Sequence, residues 1–386
     1  MTQTEKILEK LIAYPTVSRD SNLAMIQYIE CYLGEYGITS NLTFNDEKTK
    51  ANLYAVFGPG QTGGVMLSGH SDVVPVDGQD WSVAAFELLE KNDRFYGRGT
   101  TDMKGFIASV LAMVPRALEC KLAHPIHLAF SYDEEIGCVG VRRMIDMLES
   151  ASARPRFCII GEPTGLKIAI AHKGKTGAIC KCHGVESHSA LTTQGLNAIY
   201  LAAEMITAIR EIQTDIISNI EHDHDFGVPY STLHVGTIHG GTALNIIPNL
   251  CQFEFEIRNL KSDDAMEIMQ RVENCATEIV DRYRADFPQT GIDIEIFNQY
   301  PALETAPDED VVKFVQALVE CEQPVKIDFG SEGGLFQKRL GVPTVVCGPG
   351  SMAQGHKPDE YILKSELQRC DQFLSGLLAQ LTETAS

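Results

Sequence analysis

Apolar positions fall along the chain in two alternating rhythms. Short, nearly continuous apolar runs occupy residues 64–68, 126–131, 156–160 and, late in the chain, 342–347. Each is too short for a helix and reads as a strand buried on both faces. Between them, residues 104–118 and 139–148 repeat their apolar positions every three to four residues, the period of a helix packed by one side. The first twenty residues show the same helical amphipathicity. Strands alternating with helices predict an α/β fold, a mostly parallel sheet covered by helices.

The rhythm changes in the middle of the chain. A strand over 176–182, a helix over 196–212, strands over 231–238 and 251–258, a helix over 263–287 and a strand over 292–297 give the order βαββαβ. That order is the split-βαβ signature of a small α+β, ferredoxin-like domain. Because the first pattern resumes afterwards, the expected organisation is a discontinuous catalytic domain (1–172 and 297–386) carrying an inserted lid or dimerisation domain (173–296).

Composition narrows the partners. The 386 residues include 52 Asp+Glu against 32 Lys+Arg, a formal charge of −20. A polyanion repels phosphate backbones and anionic lipid, so neither nucleic acid nor a membrane is an expected partner. The longest weakly polar stretch, 105–114, is about half a membrane span, and the N-terminus lacks the basic flank and apolar run of a secretory signal. Eleven cysteines, an odd number, fit reduced thiols better than a disulfide framework. A cytoplasmic location is therefore expected. Cys180 and Cys182 share a strand face, but no second cysteine pair follows nearby to make a zinc site.

In open parallel sheets ligands bind beyond the carboxyl ends of the strands. The residues there have one chemical character: His70 and Asp72 after the first strand, Glu134 and Glu135 after the second, Glu162 after the third, and His356 beyond the fourth, with Asp102 opening a helix between them. Histidines and carboxylates gathered at one edge are the ligand types that borderline divalent metals prefer. His70 and Asp72 point the same way in extended chain, so Asp72 can accept the second imidazole N–H of His70 and fix its tautomer. Glu134 and Glu135 cannot both point in one direction, which leaves one to ligate and its neighbour to carry protons.

The segments HSD, GRGTTDMKG, DEEIG, GEPT and GPGSMAQGHKPDE together resemble the co-catalytic aminoacylase and carboxypeptidase family of metallopeptidases. PTVSRDSN, GGTALNIIPN and SEGGLFQ resemble its acetylornithine-deacetylating branch, which serves arginine biosynthesis; succinyl-diaminopimelate desuccinylation and other N-acyl amino acid hydrolysis are the alternatives. The resemblance implies two divalent ions, zinc first and cobalt or manganese next, with His70 and Glu162 on one, Glu135 and His356 on the other, and Asp102 bridging them. It further implies Glu134 as general base to a metal-bridging hydroxide, a cis peptide after Asp102, and a homodimer in which His188 reaches a neighbouring subunit's site to steady the oxyanion. Asn245 and Arg258, with Gly330 and Ser331, resemble substrate contacts. Ser331, Gly333 and Gly355 stand where Thr, Ala and Ala are common in that family, differences that bear on pocket shape.

Two rival chemistries fail on context. Gly58-Pro-Gly-Gln-Thr-Gly63 formally fits a dinucleotide fingerprint, but a strand rather than a helix follows it, so a hairpin-type turn is expected. Ser351 lacks the closing glycine of a nucleophile elbow. A catalytically silent relative would have lost Glu134 or a ligand, and none is missing.

Overall fold

The computed structural model describes residues 1–151, 154–219, 222–319 and 323–382. The chain divides into two compact units, one formed by Met1–Ala171, Leu303–Lys326 and Ser331–Ser386 and the other by His172–Ala302 and Ile327–Gly330. In chain order the main elements are α1 (Gln3–Ile12), α2 (Leu23–Glu35), β1 (Ser40–Phe44), β2 (Ala51–Phe57), β3 (Val65–His70), α3 (Lys104–Glu119), β4 (Ile126–Ser131), α4 (Val141–Ser150) and β5 (Phe157–Pro163). There follow β6 (Gly174–His183), α5 (Ala198–Asn219), β7 (Thr232–Gly240), β8 (Leu250–Asn259), α6 (Ala265–Tyr283) and β9 (Gly291–Tyr300), then β10 (Thr344–Gly348) and α7 (Lys364–Leu381).

In the first unit β4, β3, β5 and β10 form the parallel centre of a larger sheet, and β1 and β2 extend it antiparallel beyond β4. Leu67, Leu128, Ile159 and Val345 are fully buried, and Phe106, Ile107, Val110 and Leu111 of α3 are buried in the same core. Helices cover the strands, which explains why they read as unbroken apolar runs. Register sets the site: His70 at the end of β3 lies opposite Ser131 at the end of β4, so the loops that follow leave the sheet at one edge. Close approach is enforced by Gly161 of β5, where a Cβ would lie 2.0 Å from the Phe106 ring.

The expected hairpin after β2 is not there. β2 and β3 are separated by β4, to which β2 is antiparallel and β3 parallel. Gly58, Gly60 and Gly63, all at positive φ, instead carry the chain to a strand that is not the neighbour of β2. A strand from 126–131 fits between them, and nothing local to residues 58–63 signals it.

In the second unit the sheet order is β7-β8-β6-β9, antiparallel throughout, with α5 and α6 supplying core residues such as Met205, Met269 and Val272. Cys180 and Cys182 face this core, and Cys182 pairs with Cys251 across β6 and β8. The ten cysteines described are free thiols. The unit extends to Ala302 rather than ending at 296, and includes His172 and residues 327–330. A bulge between Ile296 and Asn298 explains the shortfall: one extra residue breaks the alternation that marks the strand, although pairing continues to Tyr300. Among the described residues no helix is long and apolar enough to cross a membrane.

Candidate metal centre

Two groups of potential ligands stand at the carboxyl edge of the parallel strands, His70 with Asp102 and Glu162, and Glu135 with Asp102 and His356. His70 Nε2 lies 3.0 Å from Asp102 Oδ1 and 3.5 Å from Glu162 Oε1. His356 Nε2 lies 3.2 Å from Asp102 Oδ2 and 3.0 Å from Glu135 Oε2. Asp102 thus turns one oxygen to each histidine. Ligand atoms held about 2.0–2.1 Å from a tetrahedral zinc are themselves about 3.3 Å apart; the four histidine–carboxylate distances are close to that, and all ligand atoms of each group lie within 4.8 Å of one another. The Asp102–Met103 peptide is cis.

Asp72 serves differently from the expectation. His70 Nδ1 donates to the backbone carbonyl of Asp72 at 2.9 Å, while the nearer carboxylate oxygen is 3.6 Å away. The tautomer is still the one that frees Nε2, but the carboxylate is engaged elsewhere. It accepts the N–H groups of Glu134 (3.1 Å) and Glu135 (3.2 Å) and the Ser18 hydroxyl (2.7 Å). Asp72 therefore pins the Glu134–Glu135 turn to β3. Asp133, at positive φ, pairs with Lys50 at 2.6 Å and fastens the same turn from its other side.

Within that turn the two glutamates diverge. Glu135 reaches His356, whereas Glu134 belongs to neither ligand group and accepts a 3.4 Å contact from the Cys138 thiol. Burial pushes Glu134 up to about 8, with repulsion from Glu135 and Glu332 adding to it against the pull of His70. Burial and the Asp102 charge likewise push Glu135 to about 7, and Glu162 is raised well above its ordinary value. Hydrogen bonding of the His356 imidazole to the Asp102 and Glu135 carboxylates raises it to about 10.

Burial first, and neighbouring negative charge second, push up Glu134, Glu135 and Glu162, while Asp102 between the two histidines is held low; two divalent ions would offset the negative charge gathered here. The donor set, imidazole and carboxylate, fits such ions, and both groups have the spacing for them. His70, Asp102 and Glu162 could hold one, and Asp102, Glu135 and His356 the other.

The remaining residues singled out in the sequence belong to neither ligand group. On the second unit, a two-residue pairing sets His188 opposite Ile246, next to Asn245, whose carbonyl accepts the Ser189 N–H. His188 Nδ1 accepts from the Ala190 N–H at 3.1 Å, which leaves the ring proton on Nε2 as a donor. Arg258 is held by Glu256 (3.0 Å) and the Tyr300 hydroxyl (3.0 Å). Gly330 abuts that hydroxyl so closely that a Cβ would lie 2.2 Å from it. Ser331 is fully buried, and its hydroxyl accepts the Gly333 N–H, so its side chain is already used locally.

Other groups around the centre escaped the sequence reading. Glu360 accepts the N–H groups of Gly99 (3.0 Å), Thr101 (2.9 Å) and Asp102 (3.2 Å) and pairs with buried Arg98 at 2.7 Å. This carboxylate fixes the loop that presents Asp102. Glu332, also buried, is pushed up to about 7 by burial, and its Oε2 lies 3.4 Å from Ser68. Glu360 and Arg98 both lie inside recognisable motifs, yet partners separated by 262 residues leave no local pattern.

Comparison with known proteins agrees with this architecture. The profile of peptidase family M20/M25/M40 matches residues 66–380. The acetylornithine deacetylase of Pasteurella multocida is 33% identical over 383 residues, 96% of each chain. That of Buchnera aphidicola is 30% identical over 379 residues, 97% of this chain and 96% of its own. An M20 family metallo-carboxypeptidase from Sulfolobus solfataricus superposes with a TM-score of 0.80 at 18% identity, over 98% of this chain and 99% of the other. A dinuclear metal-binding M20 peptidase from Bacillus subtilis gives 0.65 at 15% identity, over 99% and 98%. A profile spanning most of the chain, relatives matched from end to end, and paired ligand groups at the sheet edge together make this chain an enzyme of the M20/M25/M40 peptidase family.

Proposed function

We propose that the enzyme hydrolyses the amide of a small N-acyl amino acid, with N2-acetyl-L-ornithine as its substrate and acetate and L-ornithine as products, a step of arginine biosynthesis. The observation that carries this reading is the sharing of Asp102 by two ligand groups while Glu134 stands beside them uncommitted. Relatives named acetylornithine deacetylase support the choice of substrate.

Two divalent ions, zinc by preference, would supply Lewis acidity for the acyl carbonyl and for the attacking water. The protein's own part is proton transfer and positioning. Glu134 takes the proton of the attacking water on a carboxylate oxygen and returns it to the departing amine nitrogen. The Asp72 carboxylate keeps Glu134 in place through its backbone N–H. On the second unit, which we read as a lid and dimerisation domain, His188 offers its Nε2–H to the tetrahedral oxyanion in a neighbouring subunit. Arg258 meets the substrate carboxylate through its planar fork, and Asn245, Gly330 and Ser331 are the other substrate contacts of this reading.

Parallel turnover assays of the metal-loaded protein on N2-acetylornithine, succinyl-diaminopimelate and acetylated neutral amino acids test the substrate. Acetylornithine should be preferred, and equal rates on all three would defeat the assignment. Subunit exchange tests the role of His188. Mixing Glu134→Ala with His188→Ala protein should restore about a quarter of the wild-type activity if a symmetric dimer shares its sites; no restoration would remove His188 from the neighbour's site.

A further inference from the structure

His356 is the most weakly supported of the candidate ligands. Its side chain is 49% exposed, where that of His70 is 1% exposed, and it occupies a loop in which both His356 and Asp359 adopt positive φ. His and Asp tolerate that conformation better than most residues with a side chain, but it is still uncommon outside glycine, so local propensity alone does not hold the loop. Contacts from residues 79–82 do. Gln79 Nε2 donates to the His356 carbonyl at 3.0 Å. Three residues on, Ser82 donates to Asp359 twice, from its N–H at 2.9 Å and its hydroxyl at 2.7 Å.

Gln79 is itself held from behind. Its Oε1 accepts from Arg98 Nη2 at 2.6 Å and from the Trp81 indole N–H at 3.0 Å, which fixes the amide so that its NH2 faces His356. The Arg98 guanidinium lies 5.1 Å from the centre of the Trp81 ring, and its Nη1 pairs with Glu360, the carboxylate that fixes the Asp102 loop. One chain of contacts, Asp102 loop to Glu360 to Arg98 to Gln79 to His356, thus ties the shared carboxylate to the exposed histidine. Both belong to the ligand group of Asp102, Glu135 and His356. His70 and Glu162 appear nowhere in the chain.

We propose that Gln79 is a positioning residue for the second metal position alone, a clip that sets the affinity of the His356 group without affecting the His70 group. The proposal rests on the reading of His356 as a ligand. Gln79→Glu isolates the clip, because a carboxylate keeps the acceptor for Arg98 and Trp81 but sets an oxygen against the His356 carbonyl.

The experiment is zinc binding by the metal-free wild type, Gln79→Glu, Trp81→Phe and His356→Ala, followed as bound ions per chain at buffered free zinc, with the melting temperature of each metal-free protein as a check of folding. Wild type should bind two ions. Gln79→Glu should bind the first within about twofold and the second about 10- to 100-fold more weakly, the usual effect of losing an outer hydrogen-bond partner. Trp81→Phe keeps the ring over Arg98 and should weaken the second ion less, in the same direction. Loss of the second ion from His356→Ala with wild-type binding by Gln79→Glu would overturn the clip alone. Two ions retained by His356→Ala would overturn the ligand reading and the clip with it. Equal weakening of both ions in Gln79→Glu would also overturn the clip.

Discussion

Glu134 is distinguished by its lack of a place in either ligand group, and that isolation is what makes it the proposed base. Glu134→Gln should therefore keep both metals and lower kcat by at least about 100-fold, the scale of general acid–base catalysis. Metal analysis beside the kinetics checks this, and loss of one ion would instead exchange its role with that of Glu135. A second residue-scale expectation concerns His172, whose Nδ1 donates to the Lys173 carbonyl and whose Nε2 is buried without a hydrogen-bond partner among the described residues. Burial lowers this imidazole to about 4. The folded state therefore resists a proton that the unfolded chain accepts, so stability falls as pH drops from about 6.5 to about 4 and levels off below. His172→Gln should remove up to about 3 kcal/mol of that acid sensitivity, measured as urea midpoints at pH 7 and 4.5; an unchanged pH dependence would place the titration elsewhere. Residue types and spacing were enough to single out His70, Asp102, Glu162, His356 and the Glu134–Glu135 pair, and only the family resemblance chose Glu135 of that pair as a ligand. The sequence did not show which atom of a residue is used. Asp72 was placed beside His70 correctly, yet its carbonyl rather than its carboxylate meets the imidazole, because the Glu134 and Glu135 N–H groups occupy the carboxylate.

At the scale of elements, the site depends on how closely α3 lies against β5. Gly161 immediately precedes Glu162, and the Phe106 ring fills the space a side chain there would need. Gly161→Ala should cost about 1–3 kcal/mol through overpacking and weaken the ion held by His70 and Glu162, since the strand that presents Glu162 must move. Urea unfolding of the metal-free variant and zinc titration check the two effects, and wild-type values in both would show that Phe106 yields freely. The parallel strands were legible because burial on both faces erases alternation. β1 escaped because its partly exposed SNLTF offers neither an apolar run nor a clean alternation. The second unit was legible through the alternation of β8, buried at Cys251, Phe253, Phe255 and Ile257, and became illegible at the bulge in β9.

For the whole molecule the charge of −20 is unevenly placed. Asp102, Glu134, Glu135 and Glu162 account for four of the formal negative charges at one edge of one sheet, and two divalent ions would balance them once all four are ionised. Ions bound only by the folded state stabilise it by mass action, about 4 kcal/mol per site at a thousandfold excess over Kd. With both sites filled at that excess, chelation should therefore lower the melting temperature by about 16–32 °C, at roughly 2–4 °C per kcal/mol for a unit of this size, and added zinc should restore it. An identical melting temperature with and without chelator would deny that these carboxylates need cations. The proposed centre stands on one carboxylate, Asp102, uniting two metal positions. Its most direct measurement is the number of zinc ions bound per chain by wild type and by Asp102→Ala, by elemental analysis at saturating buffered zinc. Two for wild type and at most a trace for the variant are expected; one ion in wild type, or two in Asp102→Ala, would contradict it.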